Sequence, residues 1–565
     1  MPESNARRHS TGARQPALPT LGRHFFQKFF DNDAVSFEAE TQTTVVRALC
    51  TVAVPPFFAC CMVLTLGGVQ SPWVIASQHY LLVLYSFTLM GCLAVVQWQT
   101  IFPDRIDFLI LLPLPLSVRT MFLAKLAAIS QFFGMFLVAA NLCGLILIPL
   151  GSGHHIFRHF LGHATAILCG GIAAMLAITT IEGLAICMLP ESWFRKTMPV
   201  LQTLLVSGLL LMAFCLPYLA LQLPGIFTHD LRFTLFFPPL WYLALYECII
   251  GGPTATQNAW VLARLSVYSL VGLMMLMCFI YPAAWAKRKR TALEGTRAKN
   301  SSGGAGFASL LHRAVLRTPQ ERALFHFITQ TISRISRYHV YIAVYFGAGL
   351  AICIASAMEI ELRGERFHFV ASTAGLHAAI PLLLFWLIIG LRGAFLLPAD
   401  LSARWIFRMV PVKPSIAVSV AKTWVQVCSL PVVLVVIGVL ALQGWGHRLL
   451  LIQFVFGVVS AILLTEASFL FHGSIPFTRP RLPGRTSLPL TLAIFLFSLP
   501  AFLAAVLWLE KIAEAKPGVV MLVMAGTVIV LLSLGRFRRT DTGRHPEDAF
   551  ADEMETEIMG LNLSS

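Results

Sequence analysis

Long apolar segments constrain this chain more than any other feature of its sequence. Each of twelve segments holds about 20 mostly apolar residues, enough for a helix to cross a hydrocarbon core of about 30 Å. Only 12% of the residues are charged, against roughly 25% in soluble domains, and the mean hydropathy is +0.76. The segments are 45–66, 80–97, 121–149, 164–189, 200–223, 260–285, 340–358, 373–397, 417–442, 449–472, 489–509 and 518–535. We therefore predict an all-α, polytopic membrane protein with about twelve transmembrane helices.

The distribution of basic residues predicts how these helices cross the membrane. A net charge of +15 could indicate a nucleic-acid partner, but topology accounts for it better. With a cytosolic N-terminus and twelve alternating crossings, about four fifths of the 42 lysines and arginines fall in inside segments, as the positive-inside rule requires. The first 44 residues are polar, without the early apolar run of a cleaved signal peptide. We expect both termini in the cytosol, the lipid bilayer as surroundings and no nucleic-acid partner.

A basic, Gly/Ser-rich stretch divides the chain near its middle. The sequence KRKRTALEGTRAKNSSGGAG, at 287–306, has the composition of a flexible linker. Six apolar segments precede it and six follow, and both sets begin on the inside, so the repeats are parallel. The predicted parts are a cytosolic N-tail with an interfacial helix (1–44), a first six-helix unit (45–286), the basic Gly/Ser linker (287–318), an interfacial helix with a second six-helix unit (319–535) and an acidic cytosolic C-tail (536–565).

Charged positions recur at similar separations in the two halves. Asp104 and Asp400 are 296 positions apart, and Lys125 and Lys422 are 297 positions apart. A third pair, Glu182 and Glu466, lies in the fourth and tenth apolar segments, and a basic loop follows each glutamate. Markers that recur in register with the topology indicate an internal duplication.

A charged, proline-broken segment follows the second apolar block. In FPDRIDFLILLPLPLSVRTMFLAK, at 102–125, Pro103 can begin a short helix, with Asp104 and Asp107 in its first turn. The LPLPL sequence ends that helix, and Ser117 can cap the next one. A hairpin that merely connects two membrane segments remains the alternative. The near-copy at 397–422 has the same layout, with Asp400, Arg404 and Arg408 on its surface helix.

Two carboxylates lie within apolar segments. Glu182 and Glu466 are each about 10 Å from the predicted cytosolic end of their helix, at 1.5 Å per residue. A buried carboxylate is costly unless it is paired or hydrated. We consider an intramembrane gate and, alternatively, a packing role in which the side chains bond a neighbouring helix or reach the inner interface.

Two outer segments carry further candidate features. His155, His159 and His163 share one helix face, which leaves open whether they bind a metal ion or lie on an interfacial helix. The segment FFPPLWYLALYECIIGG, at 236–252, is too short to cross twice and predicts a re-entrant or interfacial element. The twelve cysteines show no C-x-x-C or Cys/His zinc spacing, so we assign no metal ligands, and only metal binding by the three histidines stays open.

Motifs of catalysis are missing from the sequence. The chain has no G-x-x-x-x-G-K-[ST] phosphate loop, which argues against ATP hydrolysis by that route. It also has no G-x-S-x-G and no H-E-x-x-H motif. We therefore predict no catalytic residues and no cofactor in this chain, and that it is not an enzyme.

These features together resemble the ABC-2-type permeases, the membrane half of ATP-driven exporters. That family's unit has an interfacial helix, six spans, a cytosolic coupling helix between spans two and three, and re-entrant outer helices between spans five and six. The motif FPDR…LPLP…R…FLAK resembles the coupling region, and FFPPLWYLALYE resembles the outer element. The second half differs, since it lacks the outer element and has LPAD in place of FPDR.

The resemblance implies two permease units fused in one chain of a bacterial plasma (inner) membrane exporter. It implies separate ABC ATPase subunits on the cytosolic face, which would bind the ATP. The residues expected to contact them are Asp104, Arg105, Asp107, Arg119, Asp400, Arg404 and Arg408.

Two other functional classes stay open. The first is an ion-coupled secondary transporter of the major facilitator type, which also has twelve spans in two parallel halves. Its loop between spans two and three carries G-x-x-x-D-R-x-G-R, of which this chain keeps only Asp104 and Arg105. The second is a membrane scaffold without transport activity.

Overall fold

The structure is a computed structural model in which nearly every described residue is helical. It describes residues 17–30, 41–65, 71–151, 155–228, 232–294, 316, 318–363, 366–397, 414–469, 476–477, 488–516 and 518–540. This confirms the predicted all-α polytopic class. The chain forms two compact units, Met1–Lys196 with Leu216–Ala298, and Thr197–Cys215 with Lys299–Ser565.

The first unit is built from helices of very different lengths. They are α1 (Ala17–Phe30), α2 (Thr41–Thr65), α3 (Pro72–Val96), α4 (Trp98–Ile101), α5 (Arg105–Leu111), α6 (Val118–Gly151), α7 (Ile156–Met188), the start of α8 (Glu191–Phe214), α9 (Leu216–Thr228), α10 (Pro238–Ile250) and α11 (Gln257–Glu294). A 3₁₀ turn, Arg232–Phe236, precedes α10.

The second unit combines the rest of α8 with the helices that follow the linker. They are α12 (Pro319–Arg334), α13 (Ser336–Ala357), α14 (Thr373–Leu396), α15 (Pro414–Leu442), α16 (His447–Ser468), α17 (Leu488–Ala515) and α18 (Gly518–Thr540). Strands β1 (Met358–Arg363) and β2 (Arg366–Ala371) form one antiparallel hairpin, in which Met358 pairs with Ala371.

Within the described residues, ten helices are long and apolar enough to cross a membrane. They account for the first ten predicted segments and show an integral membrane protein. The last two segments, 489–509 and 518–535, fall in α17 and α18, which are helical but not among the ten. The count of twelve therefore stays a prediction.

Two local features differ from the sequence prediction. The predicted fifth segment, 200–223, is divided at Cys215 into α8 and α9; Pro217 lacks the backbone donor that would continue the hydrogen bonds of α8 but is tolerated in the first turn of α9. The β-hairpin was not predicted, although MEIELR alternates apolar and charged residues with the period of two that a strand requires.

Helix α1 packs on α6 through aromatic side chains. Phe25, Phe29 and Phe30 are fully or almost fully buried, and the rings of Phe29 and Phe132 stack with centroids 4.7 Å apart. Burying such rings removes a large apolar area from water and orients them specifically. The FFQKFF sequence therefore fixes the N-terminal helix against the third span.

Helix α12 has the corresponding position in the second unit. Thr318 and Glu321 form a reciprocal capping box at its start, with Pro319 in the first turn. Leu324, Ile328 and Ile332, which share one face, are buried in the unit's main apolar cluster. The predicted amphipathic face is thus the packed face of this helix.

A glycine allows helices α13 and α14 to approach closely. A Cβ atom at Gly375 would overlap the backbone carbonyl of Ser356, which cannot rotate away.

We expect Gly375→Ala to lower stability by about 1–3 kcal/mol, the usual cost of overpacking. Thermal unfolding in detergent, followed with a thiol-reactive dye, measures this effect. Gly438→Ala on α15 is the control, because no described atom lies within 4 Å of its Cβ position; equal melting temperatures for the two variants would contradict the predicted approach.

Candidate functional site

The charged segment after the second span forms the predicted short helix, but this helix begins at Arg105 and not, as predicted, at Pro103. Asp104 is the N-cap of α5, and its backbone N–H donates a 3.1 Å hydrogen bond to the Asp107 carboxylate. This capping box satisfies donors that would otherwise be left open at the helix start. After the proline turn, Ser117 accepts a 3.0 Å hydrogen bond from the N–H of Thr120 and caps α6.

Helix α5 has one buried face and one exposed face. Phe108 and Leu111 are buried, and the Phe108 ring packs edge-on against Trp285 of α11 at 5.6 Å. On the other face Ile106, Leu109 and Ile110 are 65%, 50% and 62% exposed. These three neighbours form an exposed apolar patch on a two-turn helix.

Lys28 fastens α5 to the N-terminal helix α1. Its Nζ donates a 2.7 Å hydrogen bond to Oδ1 of Asp107 and lies 3.8 Å from Oδ2 of Asp104. The Asp107 side chain is 7% exposed, so this ion pair is shielded from screening by solvent. Lys28 was not selected from the sequence, because nothing local to residues 17–30 shows that they fold back onto residue 107.

The predicted docking residues differ in their surroundings. Asp107 is buried and paired, so its carboxylate is part of the interior and not of the exposed surface. Arg105 and Arg119 are exposed, and the Asp104 side chain is half-exposed. Asp400, Arg404 and Arg408 lie outside the described residues.

A buried lysine and a buried glutamate lie behind α5 in the first unit. Lys125 has no exposed surface, and its Nζ is 4.7 and 5.0 Å from the ring centroids of Phe25 and Phe29, within cation–π distance. Glu182 is also fully buried, and in the described part of the chain neither of its oxygens has a hydrogen-bond partner. Lys125 and Arg288 are its electrostatic neighbours.

The corresponding residues of the second unit form a direct ion pair. Lys422 Nζ lies 2.7 Å from Oε2 of Glu466, with side chains 9% and 15% exposed. Lys422 is on α15 and Glu466 on α16, just as Lys125 is on α6 and Glu182 on α7. Each unit therefore has a lysine–glutamate pair on its third and fourth spans, in contact in the second unit and without a hydrogen bond in the first.

Two of the three outer histidines, His159 and His163, belong to a largely buried polar chain in the first unit. His159 Nδ1 lies 2.9 Å from the Tyr246 hydroxyl, which lies 2.7 Å from Nε2 of His79. His79 Nδ1 and His163 Nδ1 share a 3.0 Å hydrogen bond. His155 is exposed, at the start of α7. The Tyr246 hydroxyl thus separates His159 from His79, so the ring nitrogens do not surround one common point.

His79 and Tyr246, which also belong to this polar chain of side chains, were not selected from the sequence. His79 precedes His377 by 298 positions, close to the separations of the other repeat markers, and that offset was the available signal. Tyr246 lies on α10, within the predicted outer element, which is buried in the first unit.

Glu247, next to Tyr246 on α10, is buried and accepts a hydrogen bond from the Thr254 hydroxyl. Burial raises the pKa of this carboxyl to about 7, and the hydrogen bond opposes the rise. The folded state therefore holds a proton that the unfolded chain releases near the ordinary glutamate pKa of 4.5.

The raised pKa of Glu247 predicts a pH-dependent stability. The contribution of Glu247 to the free energy of unfolding is fully present below the unfolded pKa and is lost as pH rises through the folded pKa. Wild type should therefore lose on the order of 3 kcal/mol of stability between pH 4.5 and pH 7. Glu247→Gln carries no ionisable group there, and its stability should vary less over that range. Melting temperatures of both proteins across this pH range measure the effect. Because both proteins keep the nearby histidines, the difference between them reports Glu247 alone. An equal pH dependence in the two proteins would contradict the raised pKa of Glu247.

No protein-family model, curated protein or solved structure matches this chain. The function is therefore argued from the geometry of these sites.

Proposed function

We propose that this chain is the membrane-spanning permease of an ABC-2-type exporter in a bacterial plasma membrane, with both termini in the cytosol. Separate ATPase subunits would bind and hydrolyse the ATP. The observation that carries the proposal is α5, a short helix between the second and third spans with Ile106, Leu109 and Ile110 exposed beside Arg105. Such a surface has the apolar centre and charged edge of a protein interface.

The attachment of α5 supports a coupling role. Lys28 joins it to α1, and Phe108 packs against Trp285 of α11, whose ring also packs against Phe122 of α6 at 5.3 Å. Because α5 is attached to α1 and to α11, and α6 packs on α11, a force on the exposed face would move these helices together with α5. Closure of ATPase subunits on this face would thereby reach α6 and α11.

We also propose that the halves arose by duplication. Two features support this: the lysine–glutamate pair on the third and fourth spans, and His79 and His377, each within the first two turns of its unit's second apolar helix. Homologues with a single half-length unit that keeps both features would support the proposal. Homologues in which only one half has a related partner would oppose it.

Co-purification tests the proposed function. Full-length tagged chain, extracted from its native membrane in mild detergent, should retain a P-loop ATPase identified by mass spectrometry. The complex should hydrolyse ATP, whereas the chain alone should not. Recovery of the chain without any ATPase, in a detergent that preserves its fold, would contradict the proposal, as would ATP-independent transport.

Glu182 favours ion-coupled transport as a second candidate. A buried carboxylate without a hydrogen-bond partner among the described residues is a typical proton site in transporters. Proteoliposomes that contain the pH dye pyranine and no ATP measure proton movement across the membrane directly. Faster dissipation of an imposed pH gradient by wild type than by Glu182→Gln would support it, and equal rates would exclude that role.

A further inference from the structure

Four polar side chains from three helices meet at one end of the second unit. His377 lies in the first two turns of α14, Gln453 in the first two turns of α16, and Glu510 and Glu514 in the last two turns of α17. His377 Nδ1 is 2.5 Å from Oε1 of Glu510 and 3.5 Å from Oε1 of Glu514. The predicted topology places this end of the helices outside the cell.

One of the carboxylates is buried and only partly used. Glu510 is 2% exposed, and its Oε1 accepts a hydrogen bond from Gln453 Nε2. Its Oε2 is buried as well and has no hydrogen-bond partner among the residues that the structure describes. A buried, unsatisfied carboxylate oxygen costs free energy unless a proton or cation neutralises it.

The net negative charge of the cluster favours binding of a cation. Two carboxylates face one histidine, so even a protonated imidazole leaves one negative charge in excess. Arg448 is nearby, but its guanidinium donates a 2.9 Å hydrogen bond to the backbone carbonyl of Glu514 and not to the carboxylate. The Trp445 ring packs against His377 at 4.6 Å and shields one side of the cluster.

We propose that His377, Glu510 and Glu514 bind a divalent transition-metal ion such as Zn²⁺. One ligand atom from each residue lies within 4.8 Å of the other two. Bonds of about 2.0–2.2 Å in a tetrahedral site place ligand atoms roughly 3.3 Å apart. The 3.5 Å separation of His377 Nδ1 and Glu514 Oε1 meets this spacing, and the 2.5 Å separation from Glu510 has to open by less than 1 Å.

The neighbouring residues complete the site. An imidazole nitrogen with two carboxylate oxygens is a donor set that suits zinc and related metals. The Gln453 amide, hydrogen-bonded to Glu510, orients the carboxylate as outer partners do in metal sites. Water can take the fourth position on the side of Glu514, which is partly exposed. The ion would tie α14 to α17 at their outer ends, independently of any ATPase.

The described residues of the first unit contain no equivalent donor set. His79 occupies the position that matches His377, but its ring nitrogens contact His163 and the Tyr246 hydroxyl. The nearest carboxylate on α10, Glu247, is bonded to Thr254 instead. The proposal therefore predicts one metal ion per chain.

Zinc titration of the full-length protein tests the proposal. The protein is purified with a tag that contains no histidine, stripped with a chelator and titrated with ZnCl₂ in a calorimeter. One tight site per chain is expected in wild type. Loss of a ligand in Glu510→Gln or Glu514→Gln should weaken it by at least about 100-fold, and loss of the outer partner in Gln453→Ala by roughly 10-fold. Co²⁺ should give the visible absorption of a tetrahedral site in wild type only.

Matched variants keep the result interpretable. Glu294→Gln removes an exposed carboxylate that pairs with Arg290, and His79→Gln removes the matching histidine of the first unit; both should bind zinc as wild type does. If Glu510→Gln fails to fold, the zinc affinity of Glu514→Gln tests the proposal, because Glu514 is partly exposed and its replacement is less disruptive. Wild-type affinity in Glu514→Gln, or no binding tighter than about 100 μM in wild type, would overturn the proposal.

Discussion

Replacing Ile106 and Ile110 together by glutamate should abolish binding of the ATPase that we propose as the partner of this chain. Both side chains are more than half exposed on α5, so charges there leave the buried face of Phe108 and Leu111 intact. Central apolar contacts of an interface commonly contribute 2 kcal/mol or more each, and two of them predict a loss of affinity of about 1,000-fold. Pull-down of the ATPase by immobilised permease measures the effect.

The control for this variant is another exposed apolar residue. Leu442→Glu changes a 90% exposed leucine at the far end of α15, on the side predicted to face outward, and should leave ATPase binding unchanged. Melting temperatures of both variants show whether the permease is folded. Undiminished binding by the folded double variant would remove α5 from the docking surface.

Replacing Lys422 by methionine should destabilise the second unit strongly. The change removes the cation that lies 2.7 Å from the mostly buried Glu466 carboxylate, and losing one member of a buried pair costs about 3–5 kcal/mol. At roughly 2–4 °C per kcal/mol, the melting temperature in detergent should fall by about 10 °C. The charge-reversed double variant, Lys422→Glu with Glu466→Lys, should recover part of the loss.

Two comparisons separate this effect from a general sensitivity to charge removal. Arg290→Met breaks an exposed pair with Glu294 on α11, and its melting temperature should stay close to that of wild type because exposed pairs contribute little to stability. Glu182→Gln in the first unit removes no hydrogen bond and should change stability much less than Lys422→Met. Equal losses in all three variants would show that the contact between Lys422 and Glu466 has no special weight.

The two lysine–glutamate pairs occupy matching sequence positions but make different contacts. In the second unit the two charges neutralise each other, whereas in the first unit Lys125 lies against aromatic rings and Glu182 lies near Arg288. A pair in contact holds two helices together, whereas a buried ionisable group without a hydrogen-bond partner among the described residues costs desolvation energy.

The sequence by itself determined the class of the protein and much of its local structure. Apolar length alone predicts helices that cross a membrane, because an unpaired backbone cannot be buried in lipid. The charged segment could also be interpreted residue by residue, since Asp104 and Asp107 act on a helix start within four positions of themselves. Caps, proline breaks and amphipathic faces are local effects, and local sequence specifies them.

Only the tertiary structure decided which charges meet. Lys28 and Asp107 are 79 positions apart, and His377 and Glu510 are 133 apart. Such contacts depend on which helices are neighbours and on their rotation, which the near-uniform apolar character of membrane spans leaves unspecified. For the same reason Asp107, an apparent surface residue in the sequence, became an interior one, while its apolar neighbours Ile106 and Ile110 became the exposed face.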